Sequence, residues 1–97
     1  MTVAKTRAGT SLTVSLEGRL DTSTAPQLEA ELKNLDGVAE LVLDMDKLVY
    51  LSSAGLRAIL ALQKRMSRQG KMIVRHVCGE IMEVFEMTGF ADILTIE

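Results

Sequence analysis

Two adjacent serines, Ser52 and Ser53, stand between a short apolar segment and a predicted helix. The first turn of a helix has unpaired backbone N–H groups and a partial positive charge, so a phosphate group is well tolerated there. Phosphorylation adds about −1.5 to −2 units of charge and would repel a partner with an apolar or acidic contact surface. By themselves the serines are typical of a helix cap and its neighbour; phosphorylation of Ser53 is the chemistry that this position allows.

Other reactive residue types are sparse. Asp44 and Asp46 have no third carboxylate or histidine near them in sequence, which disfavours a metal site, and Asp44 is expected to stabilise the turn that leads to Ser53. A catalytic triad with His76, the only histidine, would need a nucleophile elbow that the sequence lacks. Cys78 is predicted to be a small buried hydrophobe. We therefore expect no catalysis, no metal and no cofactor.

Composition limits the classes of function. The 97 residues suffice for one domain, residues 1–97, and 47% of them are hydrophobic. A net charge of −2, from 11 basic and 13 acidic residues, leaves no electrostatic footprint for nucleic acid. No apolar run is long enough for a signal peptide or a membrane span. With a lone cysteine, these features predict a cytoplasmic protein that does not insert into a membrane.

Hydrophobic periodicity predicts the element order β-β-α-β-α-β-α-β. Strands that alternate with helices imply βαβ units, so the expected fold class is α/β, with a small mixed, mostly parallel sheet and helices packed mainly on one face. A Thr24–Gln27 capping box is predicted to open the first helix, and Gly89 to cap the third. The predicted elements are strands at 3–7, 12–16, 41–44, 71–76 and 94–96, and helices from 24 to 36, from 52 to 68 and from 79 to 89.

Further expectations concern the central strand, its connection to the second helix, a loop near Gly18 and the methionines of the third helix. The continuous apolar run of Leu41–Leu43 predicts a central strand covered on both faces. The residues between Leu48 and Leu51 are predicted to connect that strand to the second helix, and Gly18 with Asp21 to mark a loop. On the third helix, Met82 and Met87 are expected to fill the core, and an adaptable partner surface is the alternative.

Three motifs resemble those of the anti-sigma-factor-antagonist (STAS) family. Leu43–Leu56 resembles the central motif, in which a strand ending in Asp and a short apolar connection precede a serine pair, a glycine and a leucine. Glu17–Asp21, with Ala25 four residues on, resembles the other loop motif, and Met87–Phe90 resembles the usual end of the third helix. The motifs occur in order across nearly the whole chain, and the predicted element order agrees with them.

The resemblance implies a STAS-like protein that acts by binding. Members bind an anti-sigma factor that is itself a serine kinase, in partner-switching control of transcription. The kinase phosphorylates the serine that corresponds to Ser53, the phosphorylated antagonist releases its partner, and a phosphatase resets it. Ser52 stands where many phosphorylated members carry Asp. This departure supports the alternative, a structural subunit of a lipid-transport ABC ATPase that requires no phosphorylation.

The predicted partner surface combines two loops. In a sheet with parallel neighbours, the loop after the second strand and the start of the second helix lie at the same end. Asp21 either forms the second half of this surface or caps the first helix, and both interpretations stay open. Gly55 is expected to let a partner backbone approach closely. The residues predicted to bind the partner are Asp21, Thr22, Ser52, Ser53, Ala54, Gly55 and Arg57.

Overall fold

Five strands form one mixed sheet in which each strand lies beside its neighbours in sequence. The structure is a computed structural model that describes residues 1–97. The first hairpin is antiparallel, and the other three pairings are parallel. This arrangement confirms the predicted mixed, mostly parallel sheet. The strands are β1 (Thr2–Ala8), β2 (Ser11–Leu20), β3 (Glu40–Leu51), β4 (Lys71–Arg75) and β5 (Thr95–Ile96).

Three α-helices cross over between the parallel strands: α1 (Ala25–Glu31), α2 (Ser53–Ser67) and α3 (Gly79–Thr88). The strand order advances in one direction, so right-handed crossovers place all the helices on the same face. Alternate strand residues on that face join the helices in one apolar cluster, among them Val14, Leu43 and Val74. None of the helices has the length and apolar content that crossing a lipid bilayer demands.

Val42 and Ile73 lie side by side on the opposite face of the sheet, outside the helix-side cluster, yet both are buried. Charged residues occupy the neighbouring positions: Glu40 and Lys71 on one side, whose charged groups lie 3.2 Å apart, and Arg75 on the other. Long charged side chains shield apolar surface with their aliphatic stems. The prediction that the central strand is covered on both faces is therefore confirmed, although no helix covers the face that carries Val42.

The first helix is shorter than predicted and ends at Glu31. Leu32 and Leu35 are buried as the helical pattern requires, but they lie in an irregular segment after α1. Side chains from α2 hold this segment, because the Arg65 guanidinium donates to the Leu32 and Lys33 carbonyls at 2.9 and 2.8 Å. The apolar period thus predicts the burial of Leu32 and Leu35 correctly, but the predicted continuation of the helix to residue 36 is wrong.

The third helix matches its prediction at both ends. Gly89 adopts the left-handed conformation (φ 81°) that ends α3, which confirms the predicted cap. Phe90 then begins a 3-10 turn that leads to β5. Two expectations on this helix are wrong: Cys78 is exposed at the N-cap position, and Met87 is 87% exposed. An apolar residue can lie on the outer face of a surface helix at little cost, so its type alone does not predict burial.

The central strand is longer than predicted and runs to the start of α2. β2 has 10 residues and β3 has 12, and two register shifts in their pairing accommodate the two extra residues of β3. The segment predicted as a connection is therefore paired strand, and the expected loop at Gly18 belongs to β2. Each shift is a β-bulge, which bends a strand and re-aims its side chains. This extension carries the end of β3 directly to Ser52.

Candidate functional site

Ser52 and Ser53 occupy different positions at the start of α2. Ser52 is the N-cap residue: its Oγ accepts a hydrogen bond from the Gly55 N–H at 3.2 Å. Its own N–H donates to the Leu20 carbonyl at 3.0 Å, which ties the helix start to the end of β2. Ser53 is the first helical residue and is exposed. The Ser53 side chain is therefore accessible from solvent, whereas Ser52 is half-buried and holds the helix end.

The loop after β2 is organised by Asp21. Its Oδ1 accepts from the Ser23 hydroxyl at 2.7 Å and from the Ser23 and Thr24 N–H groups at 3.0 and 3.2 Å. Thr24 Oγ1 accepts from the Asp21 N–H at 2.8 Å, so the two residues cap each other. The predicted Thr24–Gln27 box is wrong, because Gln27 donates instead to the Met1 carbonyl.

These hydrogen bonds also set the charge of the loop. The Ser23 hydroxyl is the main cause of a lowered pKa for the Asp21 carboxyl; partial desolvation opposes it, and the Ser23 and Thr24 N–H groups reinforce it. The carboxylate is therefore negative at neutral pH. The cap and the partner-surface interpretations are compatible, because the Asp21 side chain caps the turn and remains partly accessible.

The two loops adjoin at one end of the sheet. Leu20 and Leu51 are paired at the carboxyl ends of β2 and β3, and Leu20 also accepts the hydrogen bond from Ser52. Asp21 and Ser53 each lie within two residues of this pair, so the structure brings the two predicted loops together. The predicted residues that are exposed or half-buried at this end are Asp21, Thr22, Ser52, Ser53, Ala54 and Arg57.

Gly55 differs from the other predicted partner-binding residues because it is buried. A Cβ at this position would lie 2.7 Å from Leu51 Cδ1 and 2.8 Å from Leu20 Cγ and the Leu20 carbonyl oxygen. The close approach that Gly55 permits is therefore internal: it lets α2 pack against the ends of β2 and β3. The expectation that Gly55 lets a partner backbone approach closely is therefore wrong.

Comparison with known proteins identifies the family. The profile of the STAS domain family matches residues 2–97. The chain belongs to the STAS domain family. BtrV of Bordetella bronchiseptica, provisionally named an anti-sigma factor antagonist, is 39% identical across 88% of this chain and 76% of its own length. The anti-sigma-B factor antagonist of Listeria monocytogenes is 26% identical, with 87% of this chain and 76% of that protein covered.

Solved structures share the STAS fold. An anti-sigma factor antagonist from Mycobacterium paratuberculosis superposes with a TM-score of 0.89 at 23% identity, over 98% of this chain and 83% of that one. The unphosphorylated anti-sigma factor antagonist SpoIIAA gives a TM-score of 0.77 at 15% identity, over 99% and 87% of the two chains. These likenesses confirm the predicted fold.

The acidic pair of this STAS domain serves local structure. Asp44 Oδ1 accepts from the Asp46 N–H and lies 3.0 Å from His76 Nδ1. Burial raises the pKa of the Asp44 carboxyl, but the contacts with His76 and the Asp46 N–H outweigh it, and the net pKa is lowered. His76 adopts a left-handed backbone (φ 59°) in this contact. Asp44 stabilises the turn after β4 as well as its own strand, and not specifically the approach to Ser53.

Sequence reasoning missed three surface residues of the STAS domain beside the serine pair. Arg19, Val49 and Tyr50 lie at the ends of β2 and β3, and the Arg19 guanidinium lies 4.0 Å from the Tyr50 ring centroid. The sequence carries no signal for them, because Leu48–Leu51 is a continuous apolar run. The structure shows that the buried residues Leu48 and Leu51 are three apart, which breaks the two-residue period of a strand as a bulge does.

Proposed function

We propose that this STAS protein is an anti-sigma factor antagonist that acts by binding and is switched by phosphorylation of Ser53. Its partner is an anti-sigma factor of the serine-kinase type, and a phosphatase removes the phosphate. Residues 1–97 act as one cytoplasmic domain without catalysis of their own. The surface formed by Asp21, Thr22, Ser53, Ala54 and Arg57 contacts the kinase.

The position of Ser53 is the observation that carries this proposal. Its side chain is exposed at the first residue of a 15-residue helix whose cap is already made by Ser52. A phosphate there lies next to N–H groups without intrahelical acceptors, so the domain tolerates it. About −1.5 to −2 units of charge then appear at the centre of the contact surface. Binding is lost because the partner would have to desolvate the dianion, and the fold is unchanged.

Ser52 in place of Asp does not exclude this switch, because the Ser52 hydroxyl caps the helix as a carboxylate would. The relatives named above also support an antagonist over a subunit of a lipid-transport ATPase. The two functions differ in the partner that co-purifies with the chain. An anti-sigma kinase supports the antagonist, and a transporter ATPase supports the structural subunit.

Phosphorylation by the purified cognate anti-sigma kinase with ATP tests the site. We expect one phosphate on Ser53, mapped by mass spectrometry, and none on Ser53→Ala. Ser52→Asn is the matched control, because asparagine keeps the cap acceptor and removes the neighbouring hydroxyl. This variant should still be phosphorylated on Ser53.

Release is measured with the same proteins. The phosphorylated chain should bind the kinase at least about tenfold more weakly than the unmodified chain, since like charges across an interface cost several kcal/mol. Equal labelling of Ser53→Ala and wild type would contradict the site assignment. Equal affinity before and after phosphorylation would contradict the switch.

A further inference from the structure

A β-bulge next to Ser53 turns an apolar side chain outward. Gly18 is paired with Leu48 and Arg19 with Tyr50, so Val49 is the extra residue of β3 and has no counterpart on β2. The Val49 side chain is 66% exposed, although it lies between the buried strand residues Leu48 and Leu51. Bulges of this kind re-aim single side chains and occur next to functional sites.

The neighbours of Val49 form a small mixed surface, which we call the bulge patch: Arg19, Val49 and Tyr50. Tyr50 is 41% exposed, and the Arg19 guanidinium stacks on its ring. The same guanidinium lies 3.7 Å from the Asp21 carboxylate and is largely exposed. Stacking fixes the orientation of the cation while its N–H groups remain accessible. Tyrosine and arginine are the residue types enriched at the centres of protein interfaces.

The bulge patch lies at the same end of the sheet as Ser53. Arg19 and Tyr50 directly precede the Leu20–Leu51 pair, and the Leu20 carbonyl accepts the hydrogen bond that begins α2. β4 ends at Arg75, opposite Asp44, so no strand pairs with the other edge of β3 near Val49. A protein that covers Ser53 therefore meets the bulge patch next, with no strand of this chain between them.

We propose that the bulge patch is a second contact site for the anti-sigma kinase, and this inference rests on the proposed function. The partner places an apolar side chain against Val49 and Tyr50 and a carboxylate near Arg19. Two cations support this occupant: Arg19 lies near the end of β2 beside Asp21, and the exposed Arg57 lies four residues after Ser53 on α2. An acidic partner surface is attracted to these cations and repelled by a phosphate on Ser53. The patch thus contributes to affinity, and Ser53 controls release.

The test compares affinities of chain variants for the purified cognate anti-sigma kinase, measured by titration calorimetry. Val49→Ser removes two exposed methyl groups and should weaken binding about tenfold, because about 0.8 kcal/mol accompanies each buried carbon. Val49→Thr keeps the branched shape and the strand preference and should weaken binding about threefold. Ile93→Ser is the matched control, since Ile93 is also exposed but precedes β5 at the opposite end of the sheet; its affinity should change less than twofold.

The outcomes separate this inference from the proposed function. If wild type binds the kinase and is labelled on Ser53, but both Val49 variants bind equally well, the second contact site is wrong and the switch stands. If wild type does not bind the kinase, both proposals fail. Light scattering tests whether a second copy of this chain binds the bulge patch instead of the kinase. A wild-type dimer that Val49→Ser dissociates would show this and overturn the inference.

Discussion

Adjacent residues of the serine motif have different roles at the scale of single side chains. Ser52 donates to Leu20 and caps α2, whereas Ser53 faces solvent at the next position. Two residues later, Gly55 is buried against Leu20 and Leu51 because nothing larger than hydrogen fits there. The motif therefore combines one modifiable residue with two residues that keep the helix start in place.

Gly55→Ala should destabilise the fold by about 1–3 kcal/mol, because the added methyl overlaps Leu20 backbone and side-chain atoms. Urea denaturation measures the loss. Gly79→Ala is the matched control: it begins α3, and a Cβ there meets nothing within 4 Å. Alanine at a helical position reduces the entropy cost of folding, so this variant should be as stable as wild type or up to about 1 kcal/mol more stable. Equal destabilisation of both variants would contradict the packing role of Gly55.

At the scale of elements, α2 links the site to the first crossover. Its N-terminus is tied to β2. Arg65 in its last turn and Gln69, two residues after its end, donate to carbonyls of the irregular segment after α1. Gln69 Nε2 donates to the Leu35 and Val38 carbonyls, both at 2.7 Å. These bonds give side-chain partners to carbonyls that follow the end of α1. Carbonyls at the end of a helix need such partners, because leaving them unpaired is costly.

Arg65→Ala should cost about 1–2 kcal/mol of stability, since two hydrogen bonds from a charged group are lost in a partly exposed site. Amide hydrogen exchange should accelerate most between residues 32 and 38. Arg65→Lys should recover only part of the loss, because an ammonium does not reproduce the planar pair of donors. Arg68→Ala serves as the control, because Arg68 lies three residues later and is exposed. This variant should change stability by less than about 0.5 kcal/mol. Unchanged exchange in residues 32–38 would contradict the role of Arg65.

At the scale of the whole molecule, one face of the sheet carries the helices and the other carries charged pairs. Glu40 pairs with Lys71, and Arg75 with Glu97, on the face without helices. The Lys71 ammonium and the Ser11 hydroxyl, in that order of importance, lower the pKa of the Glu40 carboxyl. With Asp21 and Asp44, this gives three carboxyl groups that prefer the ionised state in the folded chain.

The lowered pKa values predict how stability depends on pH. Each of these groups binds its proton less readily in the folded chain than in the unfolded chain, where the ordinary values are 3.8 for Asp and 4.5 for Glu. Their contribution is fully present above those values and is lost as pH falls through the lower, folded values. Urea midpoints should therefore stay nearly constant from neutral pH to about 5 and then decline.

Asp44→Asn tests the contribution of the Asp44 carboxylate to this pH dependence of stability. The variant should be less stable than wild type at neutral pH, because an amide replaces the carboxylate that contacts His76 and the Asp46 N–H. The difference in stability should shrink as pH falls from 3.8 through the lower, folded pKa of Asp44. A stability difference that stayed constant to about pH 2 would contradict the contribution of the Asp44 carboxylate.

Local patterns in the sequence determined the element order, the left-handed cap at Gly89 and the serine pair at the start of a helix. Each depends on residues within one or two turns of the chain, where side-chain period and backbone preference dominate. The family resemblance has the same origin, because its motifs are short segments at fixed spacing. The α/β class followed from these segments and the handedness of their crossovers. So did the placement of Asp21 and Ser53 at the same end of the sheet.

Contacts between distant segments decided the remaining features, and only the tertiary structure shows them. The extension of β3 and its bulges depend on pairing with β2, and the shielding of Val42 depends on charged side chains from neighbouring strands. Gly55 is internal because β2 ends against it. Local sequence preferences are weak beside such hydrogen bonds and packing, which join residues more than 25 positions apart. The exposure of Val49 and Tyr50 beside Ser53 was therefore decided by strand pairing and could not be predicted from their residue types.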